Sequence, residues 1–340
     1  MKRLMVLTLM VALSGAAHAG QTLKVATLAP ATSEWFKAMQ AAARDIRERT
    51  DGRVEMKLYG GGVMGADDQV IRKIRINQLQ GIATTPTVLA DTYPDIVLYT
   101  LPMVFRDDAE AAYVRTRLDQ TLMDGLEEAG FVSFGFAATG FSVILSNDPI
   151  RGVGDMRGKK IWAPPGDPAG LAALRALDLV PVLKPMGDVY TSLQTGNIDV
   201  VPFSPIGALV LQLHTEIDYL TDLPMVYTVG LLALSERAFS RLDAADQATV
   251  REVMEGLYAK YDAKNVVDNA EAKDAVIRSG VERIVPDARE TAEIRRIVLD
   301  SNRRLAERGE FSLELYERML GLVAEYRAST ASGNVAAGRE

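Results

Sequence analysis

Of the 340 residues, two are histidine and none is cysteine. His18 falls in what reads as a leader, so His214 is left as the one imidazole of the processed chain. Without cysteine there is no disulfide, no thiolate nucleophile and no Cys-based zinc site. A Ser-His-Asp enzyme would have to rest on His214. That residue lies in Leu211-Gln212-Leu213-His214-Thr215-Glu216, near the end of an apolar helical pattern, where histidine commonly serves a helix terminus. Carboxylates are the remaining acid–base groups. Asp67-Asp68 and Asp107-Asp108 could ligate a metal, but adjacent acids at helix starts more often cap N–H groups and favour the dipole. No Asp-x-Asp-x-Asp-Gly calcium loop is present.

Gly60-Gly61-Gly62-Val63-Met64-Gly65 fits G-x-G-x-x-G and stands between a strand pattern and a helix pattern. A dinucleotide site would need an acid about 20 residues further on. The chain reads Thr84-Thr85-Pro86-Thr87 there, and Asp67 and Asp68 place negative charge where a pyrophosphate would sit. The glycines read more simply as a tight strand-to-helix turn. No cofactor and no metal are expected.

Aromatic residues carry more information. Trp162 closes a strand pattern just before Pro164-Pro165-Gly166, and Phe203 ends the strand pattern 198–203. Ligands of open α/β sheets sit beyond the carboxyl ends of strands. Trp162 and Phe203, with Trp35 and Tyr190 as further candidates, therefore suggest an aromatic-lined cleft, although each could equally fill a core.

The elements that would position these residues follow from periodicity. Leu23 to Ala29 and Val54 to Tyr59 alternate as strands, and 81–85 is a short third one. Helix patterns run from Glu34 to about Thr50, with Trp35, Phe36, Met39, Ala42, Ala43 and Ile46 on one side, and from Asp67 to Asn77. This β-α-β-α-β order predicts a mostly parallel sheet covered by helices on both faces. A second α/β unit starts after Gly140, with strands at 159–163, 180–183 and 198–203 and helices at 168–177 and 188–194. The last third is helical: Asp243 caps a long helix reaching about Arg278, and shorter helices span 287–308 and 312–327. The small, polar tail from Ala328 to Glu340 is expected to be disordered.

Lys2-Arg3, the apolar run Leu4 to Leu13 and Ala17-His18-Ala19 form a secretory signal, with cleavage expected before Gly20. The run is shorter than the roughly 20 residues a spanning helix needs. The chain carries 38 basic and 45 acidic residues, a net charge of −7, and loss of Lys2 and Arg3 makes it −9. Such a charge disfavours nucleic acid and anionic membranes as partners.

Taken in order, several segments resemble the periplasmic solute receptors of tripartite ATP-independent periplasmic (TRAP) transporters, the dicarboxylate-receptor (DctP) family. They are 50–54 (Thr-Asp-Gly-Arg-Val), the 60–65 glycine run, 101–106 (Leu-Pro-Met-Val-Phe-Arg), Pro149-Ile150, 155–161 (Asp-Met-Arg-Gly-Lys-Lys-Ile) and, most specific, 187–199. The match runs from about Leu23 to Tyr326. The resemblance implies an α/β, two-domain periplasmic binding protein with a hinge, an interdomain cleft and a long helix along both domains. Domain I would comprise 20–141 plus about 229–268 and domain II 142–228 plus about 269–300, followed by C-terminal helices 301–327. It also implies a periplasmic receptor without catalysis, whose partner is a membrane permease of small and large subunits.

One departure stands out. Typical members carry an arginine directly after the Lys-Lys-Ile strand, which holds the substrate carboxylate bidentately. Here that position is Trp162. Many members also have arginine after Gly-Phe, where this chain has Ser142, and the usual Glu-Asn-Pro is replaced around Phe203 and Ser204. Trp162, Phe203, Ser204, Ser142, Trp35 and Tyr190 are accordingly the expected ligand-binding residues, and the ligand is expected to be more apolar than a small dicarboxylate. Two other readings stay open: an exported ligand sensor and an acid-based enzyme on the same fold.

Overall fold

The structure is a computed structural model and describes residues 20–337; the expected signal peptide, 1–19, lies outside the described residues. The first half follows the expected order: β1 (Gln21–Thr27), α1 (Glu34–Arg49), β2 (Val54–Tyr59), α2 (Asp67–Arg75) and β3 (Gly81–Thr84). Ser33 caps α1 by accepting from the Phe36 N–H, and the helix buries Phe36, Met39, Ala42, Ala43 and Ile46, the predicted stripe. After two 3-10 segments come α3 (Asp108–Glu128) and β4 (Phe131–Ser146). The second half contains α4 (Val153–Met156), β5 (Ile161–Ala163), α5 (Pro168–Ala176), β6 (Pro181–Leu183), α6 (Val189–Gln194), β7 (Val200–Phe203) and α7 (Pro205–Val210). The chain then returns through β8 (Tyr219–Ser235) to α8 (Glu236–Phe239), α9 (Ala244–Arg278), β9 (Glu282–Ile284), α10 (Ala288–Glu307) and α11 (Leu313–Ala337).

The nine strands of the described residues belong to one sheet, ordered β2-β1-β3-β8-β4-β7-β5-β6, with β9 beside β8. The expectation of a mostly parallel sheet is corrected. The outer strands are parallel, but β8 runs antiparallel to β3 and β4, and β4 antiparallel to β7. The long strands β4 and β8 pass through both halves and join them. Strand β4 is buried along nearly its whole length, whereas β8 is fully buried chiefly at Leu231–Leu234 and only partly buried through much of its middle.

Helices cover both faces. In the first half α1 and the start of α9 pack Met39, Ile46, Val250, Met254 and Tyr258 on one face, against Leu23, Val25 and Phe134. The other face receives α2, α3 and α11 on Ile82, Phe136 and Leu231. Asp243 caps α9, which is unbroken for 35 residues as expected.

Helix α11 continues beyond the expected end at 327, through Ala328 to Ala337, and residues 338–340 of the expected tail lie outside the described residues. No proline interrupts this alanine-containing stretch, and the Ser329 and Thr330 hydroxyls donate back to the Tyr326 carbonyl.

Candidate functional site

The register of the sheet defines a cleft. Thr84, the last residue of β3, pairs with Leu231 of β8, which pairs with Phe136 of β4. Phe203, the last residue of β7, pairs with Val143 of β4. Between these points β4 and β8 run alone as a two-stranded bridge, Ala137–Ser142 against Val226–Gly230. At roughly 3.3 Å per residue, six residues span about 20 Å. The parallel strands of both halves turn their carboxyl ends toward this bridge, so the loops after β1, β3, β5 and β7 form two opposed rims.

The bridge is irregular. Register shifts fall between Ala138 and Gly140 and between Ser142 and Ile144. Gly140 has φ +80°, a backbone conformation that favours glycine, and a Cβ there would also push aside the Asn269 side chain of α9. In the first half the free edge of β4 is occupied by side chains instead of a strand. Arg115 Nη2 donates to the Phe136 carbonyl at 2.8 Å, and the Ala138 N–H donates to Asp262 Oδ1 at 2.7 Å. Arg115 and Asp262 are themselves paired at 2.6 Å.

Trp162 and Phe203 are brought together on the second-half rim, with ring centroids 5.8 Å apart and planes at 51°. Trp162 is only 5% exposed, and its Nε1–H donates to the Lys184 carbonyl at 2.8 Å. Phe203 is half-buried and stands outside it. Ser204, beside Phe203, caps α7 by accepting from the Gly207 N–H. Tyr190 packs against the same cluster, with its hydroxyl donated to Glu216 at 2.8 Å. Ser142 lies on the bridge, where its Oγ accepts from the Val226 N–H at 3.2 Å. Ser142 and Ser204 each retain a hydroxyl proton for a further acceptor.

Trp35 does not join this group. Its ring packs edge-on against Tyr258 (5.3 Å) and Tyr261 (4.9 Å) of α9, within the first-half cluster. His214 approaches the Ala208 carbonyl at 3.4 Å, a contact local to the end of α7. The glycine run is the turn expected: Gly61 and Gly62 donate to the carbonyls of Ala29 and Thr27, so those N–H groups are not free for a phosphate.

Asp67 departs from the capping reading. Asp107 does cap α3, accepting from the Glu110 N–H, but the N-cap of α2 is Ala66. Asp67 is instead hydrogen-bonded to Thr84 at the end of β3, on the first-half rim, and burial pushes its carboxyl up to about 6 despite that bond. Because the folded state holds the proton more tightly than the unfolded one, stability falls as pH rises from about 4 to 6. Asp67→Asn is therefore expected to raise stability by about 1–2 kcal/mol at pH 7, discounted for residual solvent contact. Urea midpoints at pH 4 and pH 7 check this: the gain should be absent at pH 4, and equal gains at both would refute the assignment.

No arginine or lysine occurs in the rim segments 27–30, 84–87, 163–165 and 203–205. Among the described residues no cluster of three or more His, Cys, Asp or Glu side chains is placed to hold a metal ion, and no helix is long and apolar enough to cross a membrane.

With this geometry in place, comparisons with known proteins give the class. The DctP family, described as bacterial extracellular solute-binding protein family 7, matches residues 25–308, and the chain belongs to it. It is a solute-binding receptor rather than an enzyme. It is 24% identical over 234 residues to a solute-binding protein of Verminephrobacter eiseniae, covering 68% of this chain and 69% of that one. It is 26% identical over 244 residues to the 2,3-diketo-L-gulonate-binding periplasmic protein of Escherichia coli, covering 70% and 73%. In fold it is similar to the sugar acid binding protein of Advenella mimigardefordensis solved with galactonate (TM-score 0.81, 19% identity, 90% and 98% covered). It is also similar to a TRAP periplasmic solute-binding protein of Ralstonia eutropha solved with (S)-2-acetolactate (TM-score 0.82, 18% identity, 89% and 99% covered). These matches establish the two-domain TRAP receptor fold.

Proposed function

We propose that this chain is the periplasmic receptor of a TRAP transporter, and that it takes a ligand more apolar than a small dicarboxylate. The partner is a membrane permease of a small and a large subunit. Domain I is 20–141 plus about 229–268 and domain II is 142–228 plus about 269–300, which places the pivot on the two-stranded bridge. Ligand closes the cleft by adding contacts present only in the closed state.

The observation that carries the ligand class is the rim itself: an indole and a phenyl ring in contact, on strand-end segments 163–165 and 203–205 that carry no arginine or lysine. A charge-assisted bond contributes about 1.5–3 kcal/mol, and nothing on these segments supplies one to a carboxylate. Phe203 supplies apolar area instead, with Trp162 supporting it from behind. Ser142 and Ser204 offer hydroxyl protons, and Asp67, bonded to Thr84 at the end of β3, is the acidic group of the opposite rim.

The test begins with native mass spectrometry of the periplasmic protein to identify the co-purified ligand, followed by calorimetry. Burying about 80 Å² on Phe203 at about 25 cal/mol per Å² is worth about 2 kcal/mol, or about thirtyfold in affinity. Phe203→Ala should lose about that much, and the parent should not bind succinate tightly. Tight succinate binding, or an alanine variant with unchanged affinity, would overturn the proposal.

A further inference from the structure

Outside the cleft, the loop 101–107 is held by an unusual number of guanidinium groups. Arg295 of α10 donates Nη1 to the carbonyls of Met103 and Phe105. Arg327 of α11 donates Nη2 to the Val104 carbonyl at 3.2 Å. Arg106, on the loop itself, is exposed, and its guanidinium has no partner among the described residues. Three elements far apart in sequence thus bring three cations to one place.

The opposing charge is nearly used up. Glu110 is 1% exposed; its Oε1 meets Arg327 Nη2 at 2.5 Å and its Oε2 accepts the Arg106 backbone N–H at 2.9 Å. Asp107 turns its Oδ1 to the Glu110 N–H as a helix cap. Arg327 Nε is buried without an acceptor. The cations also oppose one another: burial, Arg106 and Arg327 hold the Arg295 guanidinium below its usual range. Burial likewise lowers Arg327, where Glu110 works against Arg106. Anything that relieves like-charge repulsion is bound more tightly for that reason.

We propose that Arg106, Arg295 and Arg327 form a second site, separate from the cleft, that binds a small oxyanion such as inorganic phosphate and clips α10 and α11 to the loop before α3. An oxyanion provides several acceptors in the geometry guanidinium forks match. It enters through Arg106, the most exposed member of the three. The site does not depend on the identity of the cleft ligand.

The test uses the mature, full-length protein with sodium phosphate as probe against sodium chloride at equal ionic strength. Phosphate stabilises proteins generally by exclusion from the surface, an effect without saturation. The proposal expects a saturable rise in melting temperature over the millimolar range and slower hydrogen exchange in α11. Arg106→Gln changes an exposed side chain, so the fold should persist, and phosphate should bind about tenfold more weakly. Arg106→Lys should fall between. A linear, unsaturated response, or equal saturation in parent and Arg106→Gln, would overturn the proposal. Calorimetry of the cleft ligand should give the same affinity with and without phosphate; a competitive effect would place the anion in the cleft and overturn it too.

Discussion

Arg115→Met is expected to destabilise the protein by about 3–5 kcal/mol, the cost of breaking a buried ion pair from one side. Arg115 is 6% exposed and serves two carboxylates, a hydroxyl and a backbone carbonyl: Asp119, Asp262, Tyr227 and Phe136. Burial alone would lower its guanidinium, but Asp119, Tyr227 and Asp262 reverse this and hold it well above its usual range. Its partner Asp119 is raised, because burial outweighs Arg115 and the Tyr99 hydroxyl, so it would be left as a poorly solvated carboxylate. Methionine fills much of the volume but donates nothing, and the Phe136 carbonyl on the free edge of β4 loses its partner. Urea unfolding should show a lower midpoint at unchanged slope. A loss below about 1 kcal/mol would mean that water replaces the guanidinium, and that this pair is not what closes the edge of β4.

The same charged residues explain part of what the sequence conceals. Helices α1 and α2 and strand β2 are legible to within a residue or two because each has one face inside and one outside, and β1 and β3 because the turn residues Pro30, Gly81 and Pro86 bound them. In α3, buried Glu110 and Arg115 interrupt the apolar stripe that would announce a helix. Strands β4 and β8 have 16 and 17 residues, about three times the usual length, and their register shifts break any simple period. Missing them turns a mixed sheet into an apparently parallel one. On the second-half rim Phe203 ends β7 while Trp162 sits one residue inside the end of β5, and the structure brings the two rings into contact. Trp35 gives a similar signal at the start of α1, but Tyr258 and Tyr261, over 200 residues later, capture its ring. Asp67 was hidden for a different reason. An acid in the first turn of a helix has a sufficient local explanation, and only the tertiary contact with Thr84 gives it another role.

Trp162→Ala separates the two parts that this residue plays. The ring is packed against Phe203 within a cluster that includes Val143, Val189, Leu193 and Val201. Truncation of a core tryptophan costs about 3–5 kcal/mol, and here it also leaves the Lys184 carbonyl without its donor. The alanine variant should therefore melt at a lower temperature and bind the cleft ligand weakly, since Phe203 loses its support. Taken alone, that result would not show whether the ligand touches the indole. Trp162→Phe does: it keeps an aromatic ring of smaller area and gives up the Nε1–H, with an expected stability loss of about 1–2 kcal/mol. If Phe203 is the contact surface and Trp162 its support, this variant binds within about threefold of the parent. If the ligand stacks on the indole itself, affinity falls by more than about tenfold at that same modest loss of stability. Trp162→Arg would imitate the usual arginine of the family, but it would bury a guanidinium in an apolar cluster where the indole now bonds the Lys184 carbonyl. It is expected to unfold more readily than the alanine variant and not to acquire succinate binding. A stable Trp162→Arg protein that binds succinate tightly would show that this position opens onto the ligand directly, and that tryptophan there alone sets the ligand class.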